Sequence, residues 1–305
     1  MTAQSQTTRV LVAVPHYYGP SSSQVLGSSV DTAEERASVV ASCLRQAASL
    51  LTDHTFTAGT SANIANDVIA PAPKRISGDM VVCVSGENHL LALATHAFVA
   101  KPRPYAGDPK MLGFACREAF AEQVENYDLF CFIEDDTAIY DGAFFEKAAA
   151  FYRAFGDGRV LLPSRYEVFG ARDAAWRVYL ERDHPPRYLV EPKVDGPEEL
   201  RLPGYDGDVV FERTTSLGAG CYIITREQLR WWMQQPGFLQ AIGGRLTLEA
   251  AMIPLEGHFP VYRPAAKNLS FLEVHHTPNR CSQAATPRGR IGALARAEIN
   301  RRRGG

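Results

Sequence analysis

The chain has 305 residues, 46% apolar and 22% charged, with a formal net charge of −2. That is enough for one large α/β domain with an ordinary core, and the near-neutral charge excludes a global electrostatic case for nucleic acid or an anionic membrane. The six cysteines, Cys43, Cys83, Cys116, Cys131, Cys221 and Cys281, contain no C-x-x-C pair, which argues against a zinc knuckle or a thioredoxin-like motif.

Met1–Thr8 carries no signal-like segment and no apolar run approaches the ~18 residues of a membrane span, so a soluble, cytoplasmic chain is expected. Arg9 to Val14 (RVLVAV) reads as a buried parallel strand, stopped by Pro15 and feeding the loop His16-Tyr17-Tyr18. Ala33 to Leu51 has helical spacing, with Asp31 or Thr32 as N-cap. Thr52 to Gly78 is polar and broken by Pro71 and Pro73, and the pattern assigns it no element. Met80 to Val84 is a second buried strand leaving through Ser85-Gly86-Glu87, Ala97 to Ala100 a short third one, and Lys101–Pro109 a proline-rich turn region.

Lys110 to Val124 reads as a helix, Tyr127 to Ile133 (YDLFCFI) as the most apolar strand, Phe144 to Phe155 as a helix and Arg159 to Pro163 as a strand. This alternation predicts a mainly parallel, doubly wound sheet flanked by helices. The second half is less regular. Asp173 to Phe211 suggests an antiparallel excursion, Gly220 to Thr225 a strand, Glu227 to Gln234 a helix and Leu269 to Val274 a final strand. The tail from Arg288 has six arginines against one glutamate; it reads as a solubilising extension or a weak peripheral hook for an acidic surface.

Glu134, Asp135 and Asp136 directly follow the apolar YDLFCFI strand. Three neighbouring carboxylates cannot be buried without partners, and the carboxyl ends of strands are where open α/β sheets bind ligands. Extended alternation would put Glu134 and Asp136 on one side and Asp135 on the other. A divalent cation and a sugar hydroxyl are natural partners for such a group.

This run, with a helix following near Phe144, resembles the DxD-type region of GT-A glycosyltransferases, in an EDD spelling similar to that of the N-acetylglucosaminyltransferase I type. The resemblance implies a GT-A (Rossmann-like) domain over 9–286, with a nucleotide-sugar half at 9–170, an irregular acceptor-side half at 171–286, and flexible tails at 1–8 and 287–305. It implies a hexosyl- or N-acetylhexosaminyltransferase that moves a sugar from a nucleoside diphosphate donor, UDP-linked, to an acceptor hydroxyl, with Mn2+ or Mg2+. By position, Asp136 becomes the metal ligand and Glu134 and Asp135 the ribose or sugar contacts. Lys110 and Arg117, about two helical turns apart, resemble the basic residues that meet the diphosphate, Arg117 being the stronger candidate. Pro15, His16 and Tyr17 resemble the base and ribose contacts, and Gly218 and Gly220 the small-residue turn at the donor-sugar or acceptor face.

His275 and His276 in EVHHTPN resemble the late metal ligand, and because neighbouring strand residues face opposite ways only one is expected to reach the ion. Imidazole beside carboxylate suits manganese better than calcium. Glu249 is the candidate base, although Ala250 stands where relatives carry a second acid; Asp206, Asp208 and Glu212 are alternatives. The rival readings are a sugar nucleotidyltransferase and a noncatalytic nucleotide-sugar- or glycan-binding module. His16–Ser29 has two glycines but no Lys or Arg, which argues against the first. G-x-G at 218–220 lacks the third glycine of a dinucleotide fingerprint.

Overall fold

The computed structural model describes residues 7–19, 32–51, 55–57, 68–71, 75–94, 101–171, 174–180, 194–204, 206–217, 220–240, 251, 253–255 and 258–277. In chain order the elements are β1 (Thr8–His16), α1 (Ala33–Leu51), β2 (Thr55–Thr57), β3 (Val68–Pro71), β4 (Ile76–Ser85), α2 (Leu91–Ala94), β5 (Lys101–Tyr105), α3 (Leu112–Glu122), β6 (Leu129–Ile133), β7 (Thr137–Ala138) and α4 (Phe144–Phe155). There follow β8 (Val160–Leu161), β9 (Ser164–Ala171), β10 (Ala174–Tyr179), β11 (Glu199–Leu202), β12 (Val209–Thr214), β13 (Cys221–Thr225), α5 (Arg226–Met233), β14 (Val261–Pro264) and β15 (Glu273–His276).

Among the described residues nine strands form the central sheet, in the order β11-β12-β14-β8-β13-β6-β1-β4-β5. The pairings β1 with β4, β1 with β6, β4 with β5 and β8 with β14 are parallel, while β13 runs against both β6 and β8, and β12 against β14 and β11. Only β13 and β12 therefore point backwards, so this is a mostly parallel sheet between helices. A second sheet, β10-β9-β15-β7, stands beside it.

The unbroken apolar run of β1 is explained by burial on both faces. Val10, Val12 and Val14 pack in one core with Val40 and Leu44 of α1 and Phe144 and Ala148 of α4. Leu11 and Ala13 pack in the other with Ala115 and Phe120 of α3 and Leu229 and Trp232 of α5. Each fully buried Val or Leu contributes about 1.5–3 kcal/mol of transfer free energy. Thr32 begins α1 through a reciprocal box, its Oγ1 accepting from Glu35 N–H and its own N–H donating to the Glu35 carboxylate. The five described cysteines are free and buried, and burial pushes the Cys43 thiol up to about 12.

Four expectations need correction. Pro15 does not stop β1, which continues through His16 in register with β4, while its start at Thr8 takes that residue out of the expected tail. Lys101–Tyr105 is a strand, not a turn region, because it lies at the sheet edge, where Pro102 and Pro104 leave no ladder partner wanting. Helix α3 begins at Leu112, after a 3-10 turn at Pro109–Met111 capped by the Asp108 carboxylate. The expected final strand is instead a 3-10 turn, Ala266–Phe271, held by Asn268 accepting from Val210 N–H at 2.9 Å, and the strand starts at Glu273. The expected strand at Ala97–Ala100, the alternative cap Asp31, Cys281 and the Arg-rich tail lie outside the described residues. Among the described residues no helix is long and apolar enough to cross a membrane.

Candidate functional site

The acidic run sits where the chain leaves one sheet for the other. β6 ends at Ile133 between β1 and β13, and two residues of β7 then pair with β15. The intervening residues make a turn closed by Thr137 N–H to Glu134 O at 3.0 Å, so they are not the extended segment that simple alternation predicts. The three carboxylates consequently take three different surroundings.

Asp135 points toward β1 and α1. Its Oδ2 lies 2.6 Å from His16 Nδ1, and its Oδ1 accepts from the Arg36 guanidinium. His16 Nε2 accepts from Leu90 N–H at 2.9 Å, which leaves Nδ1 as the protonated nitrogen that donates to Asp135. Burial works to raise the Asp135 carboxyl, but the Arg36 charge and the His16 hydrogen bond outweigh it and hold the group below its usual range. Burial likewise works against the Arg36 charge, and Asp135 and Asp136 together overcome it and raise its pKa. The same guanidinium approaches Asp136 Oδ2 at 3.5 Å.

Glu134 lies against β13. Its N–H donates to Gly220 O at 2.8 Å, and a Cβ added at Gly220 would collide with Glu134 Oε2. Gly220 also has φ +63°, so its lack of a side chain serves both backbone and neighbour. Desolvation, followed by the negative charge of Asp136, pushes the Glu134 carboxyl up to about 7, with Arg165 and His276 working the other way.

Asp136 faces β15. The register His276↔Thr137 brings His276 Nε2 to 3.8 Å from Asp136 Oδ2, while His276 Nδ1 lies 2.6 Å from Glu167 Oε1 on β9. Thr277 fastens the same point, its N–H and Oγ1 donating to Asp136 O at 2.8 and 2.9 Å. His275 takes the opposite face of the strand and stacks on Tyr166 at 5.0 Å between ring centroids, so the acidic turn meets His276 alone of the two.

Other sequence-predicted residues divide unevenly. Pro15 and Tyr17 flank His16, both half-buried, and Tyr17 packs on the α3-side core. Arg117 is fully buried, donates to the carbonyls of Phe238, Ala251 and Ile253 at 2.9, 3.3 and 3.1 Å, and lies over the Trp232 ring at 4.1 Å. It ties α3 to the C-terminal segments, a packing role that corrects the expected diphosphate contact. Lys110 stands half-buried in the 3-10 turn before α3. Asp206, Asp208 and Glu212 belong to the β11–β12 edge, four strands from β6. Gly218 and Glu249 lie outside the described residues.

Among the described residues, Arg36 and Arg165 are the cations beside the turn and Glu167 is the buried acid behind it; pattern reading found none of the three. Arg36 did leave a signal, since it falls on the helical stripe continued by Val40, Cys43, Leu44 and Ala47. Arg165 and Glu167 alternate with Tyr166 and Val168 in β9, a period-2 pattern.

A carboxylate and an imidazole, as in Asp136 and His276, are the kinds of group that can ligate a divalent cation. The Thr137 hydroxyl next to them is buried without a hydrogen-bond partner among the described residues. No cluster of three or more His, Cys, Asp or Glu arranged to hold a metal occurs among those residues. A cavity of about 950 Å³ lies at the other end of the sheet, against Thr8, Ile76 and Leu129 at the starts of β1, β4 and β6. Its four cationic side chains are matched by four carboxylates, and it includes no residue of the acidic turn.

No family model matches the chain, and no curated protein matches it in sequence. Among solved structures it is similar to S. aureus TarS 1-349 in complex with UDP-GlcNAc, at 10% identity over 88% of this chain and 58% of that one, with a TM-score of 0.41. It is similar to GalNAc-T7 with UDP, GalNAc and Mn2+, at 13% identity over 88% of this chain and 44% of that one, TM-score 0.41. It is also similar to CMP:2-keto-3-deoxy-manno-octonic acid synthetase complexed with CTP, at 11% identity over 95% and 100%, TM-score 0.38. The chain thus spans less than two thirds of the first two structures. At these scores the functional reading has to stand on the residues of this chain.

Proposed function

We propose that this chain is a nucleotide-sugar-using transferase of the GT-A type, moving a sugar from a UDP-linked donor to an acceptor hydroxyl. One observation carries the reading: where the chain leaves the carboxyl end of β6 for β7, Asp136 faces His276 of the neighbouring β15, with Arg36 and Glu134 beside it. In the reaction the bond from the sugar's anomeric carbon to the phosphate oxygen breaks and a bond to the acceptor oxygen forms, so negative charge collects on the departing diphosphate. Asp136 and His276 would hold Mn2+ or Mg2+, which supplies neutralisation of that charge.

The remaining work falls to the protein's own groups. Arg36, at the start of α1, is among the described residues the guanidinium bound to the acidic turn and takes the place foreseen for Arg117 in meeting phosphate. Asp135 has both oxygens engaged by His16 and Arg36, so its part is to fix the turn, not to contact ribose. Glu134, half-buried and able to hold or release a proton near neutral pH, is the carboxylate suited to a sugar hydroxyl. Glu249 is proposed as the base that takes the acceptor proton, and Gly218 with Gly220 as the small-residue wall of the sugar site.

Calorimetric titration of UDP, GDP and dTDP into wild type and Asp136→Ala, each with Mn2+ and with EDTA, tests the reading. Metal-dependent binding of UDP that the substitution abolishes is the expected result. Failure of all three nucleotides to bind would return the acidic turn to a structural role.

A further inference from the structure

Three neighbouring parallel strands, β6, β1 and β4, end side by side at Ile133, His16 and Ser85. A ligand lying across the carboxyl ends of such strands meets the loop that follows each one. These loops are distant in sequence, so contacts between them set their relative positions. His16 closes the middle strand with an exposure of 0%. The register that pairs Ala13 with Phe132, carried three residues further along both strands, sets His16 beside Asp135. On its other side His16 is in register with Val84 of β4.

The ring uses both nitrogens, one on each neighbour. Nδ1 lies 2.6 Å from Asp135 Oδ2 in the acidic turn, and Nε2 accepts from the Leu90 N–H, at 2.9 Å, in the loop after β4. Two further contacts stitch that loop to the exit of β1. Tyr18 N–H donates to Asn88 O at 2.9 Å, and a Cβ added at Gly19 would collide with Asn88 Oδ1. On its far side the acidic turn is fixed by Arg36, through Asp135. A flat, rigid ring with a nitrogen at either edge suits such a bridge, since few side-chain rotations have to be frozen to hold it.

We infer that His16 is a positioning residue that ties the loop after β4 to the acidic turn, so that both meet the nucleotide as one preset surface. The inference rests on the function proposed above. It gives His16 a part other than the ribose contact implied by resemblance, because a buried ring with both nitrogens engaged by the protein leaves neither for a ligand. Loops held in place beforehand need not be ordered at the moment of binding, and the entropy not lost then appears as affinity. A role confined to stability would lower the thermal midpoint of His16 variants and leave nucleotide affinity unchanged in those that fold.

The test is calorimetric titration of UDP, with Mn2+ present, into wild type, His16→Asn and His16→Gln, with a thermal midpoint recorded for each. The amide of asparagine reaches about as far as Nδ1 and that of glutamine about as far as Nε2, so each variant keeps one link and drops the other. Both are expected to bind UDP roughly 3- to 10-fold more weakly than wild type. Affinity within about twofold of wild type in variants that fold would overturn the inference and leave the proposed function standing. Weakening in only one of them would show that the two links act separately, and overturns it equally. A wild type that binds no nucleotide overturns the proposed function and this inference with it. Should the variants not fold, amide exchange in wild type decides. Adding UDP and Mn2+ should slow the Leu90 and Thr137 amides together, and slowing in one loop alone refutes the tie.

Discussion

Replacing Arg117 by methionine separates a packing role from a binding role. The guanidinium donates to three backbone carbonyls and lies over the faces of Phe114 and Trp232, with no exposed surface. Methionine fills much of the volume but donates nothing, leaving the carbonyls of Phe238, Ala251 and Ile253 buried without this partner. At about 1 kcal/mol or more for each orphaned acceptor, plus a desolvated cation–π contribution of about 1 kcal/mol, the loss comes to roughly 4 kcal/mol. That is a large fraction of the ~5–15 kcal/mol that holds a domain folded, so the variant should be folded but marginal. Urea unfolding measures the first quantity, and calorimetry with UDP and Mn2+ on the folded variant the second. Nucleotide affinity should remain within about twofold of wild type. A variant of unchanged stability that no longer bound nucleotide would refute this reasoning and restore Arg117 to the phosphates.

Gly220→Ala places a Cβ against Glu134 Oε2 at a backbone angle of φ +63°. It should cost about 1–3 kcal/mol in urea unfolding, and Gly220→Ser should be no better, since the obstacle is the Cβ itself. Glu134→Gln addresses pH dependence. The folded-state carboxyl is raised to about 7 against an ordinary 4.5, so the native state binds the proton more tightly and wild-type stability falls as pH climbs between those values. The glutamine variant escapes that loss and should be the more stable protein above pH 7, in EDTA, by about 1–3 kcal/mol, with the advantage gone by pH 4.5. An advantage independent of pH would show that burial does not perturb this carboxyl.

Much of the architecture was legible because both sheet faces are covered. Runs such as RVLVAV and YDLFCFI can be continuous only where each alternate side chain meets a core, and β1 and β6 are such strands. The location of the acidic turn followed from the same logic. What pattern reading missed are contacts distant in sequence. Arg36 reaches Asp135 across 99 positions and Glu167 reaches His276 across 109, and periodicity can place a charge on a stripe or a face without naming its partner. Arg117 misled for the converse reason. A cation among apolar residues looks like a ligand-binding group until the carbonyls that surround it are known, and those belong to segments more than a hundred residues away.

The deeper limit of the sequence lies in the acidic triplet itself. Three adjacent carboxylates look equivalent on paper, yet the fold makes them unlike. Asp135 stays ionised and is neutralised by Arg36, so it adds little net field at the mouth of the site. Glu134 has been brought by desolvation to a range where it is only partly charged near neutral pH. Asp136 keeps a 19% exposed side chain and looks out toward His276. The turn thus gives its three carboxylates different charge states and surroundings. The cause is the chain's exit from β6 into β7. An extended exit would have put Glu134 and Asp136 on the same side, whereas a turn sends each acid to a different element, one to β13, one to α1 and one to β15.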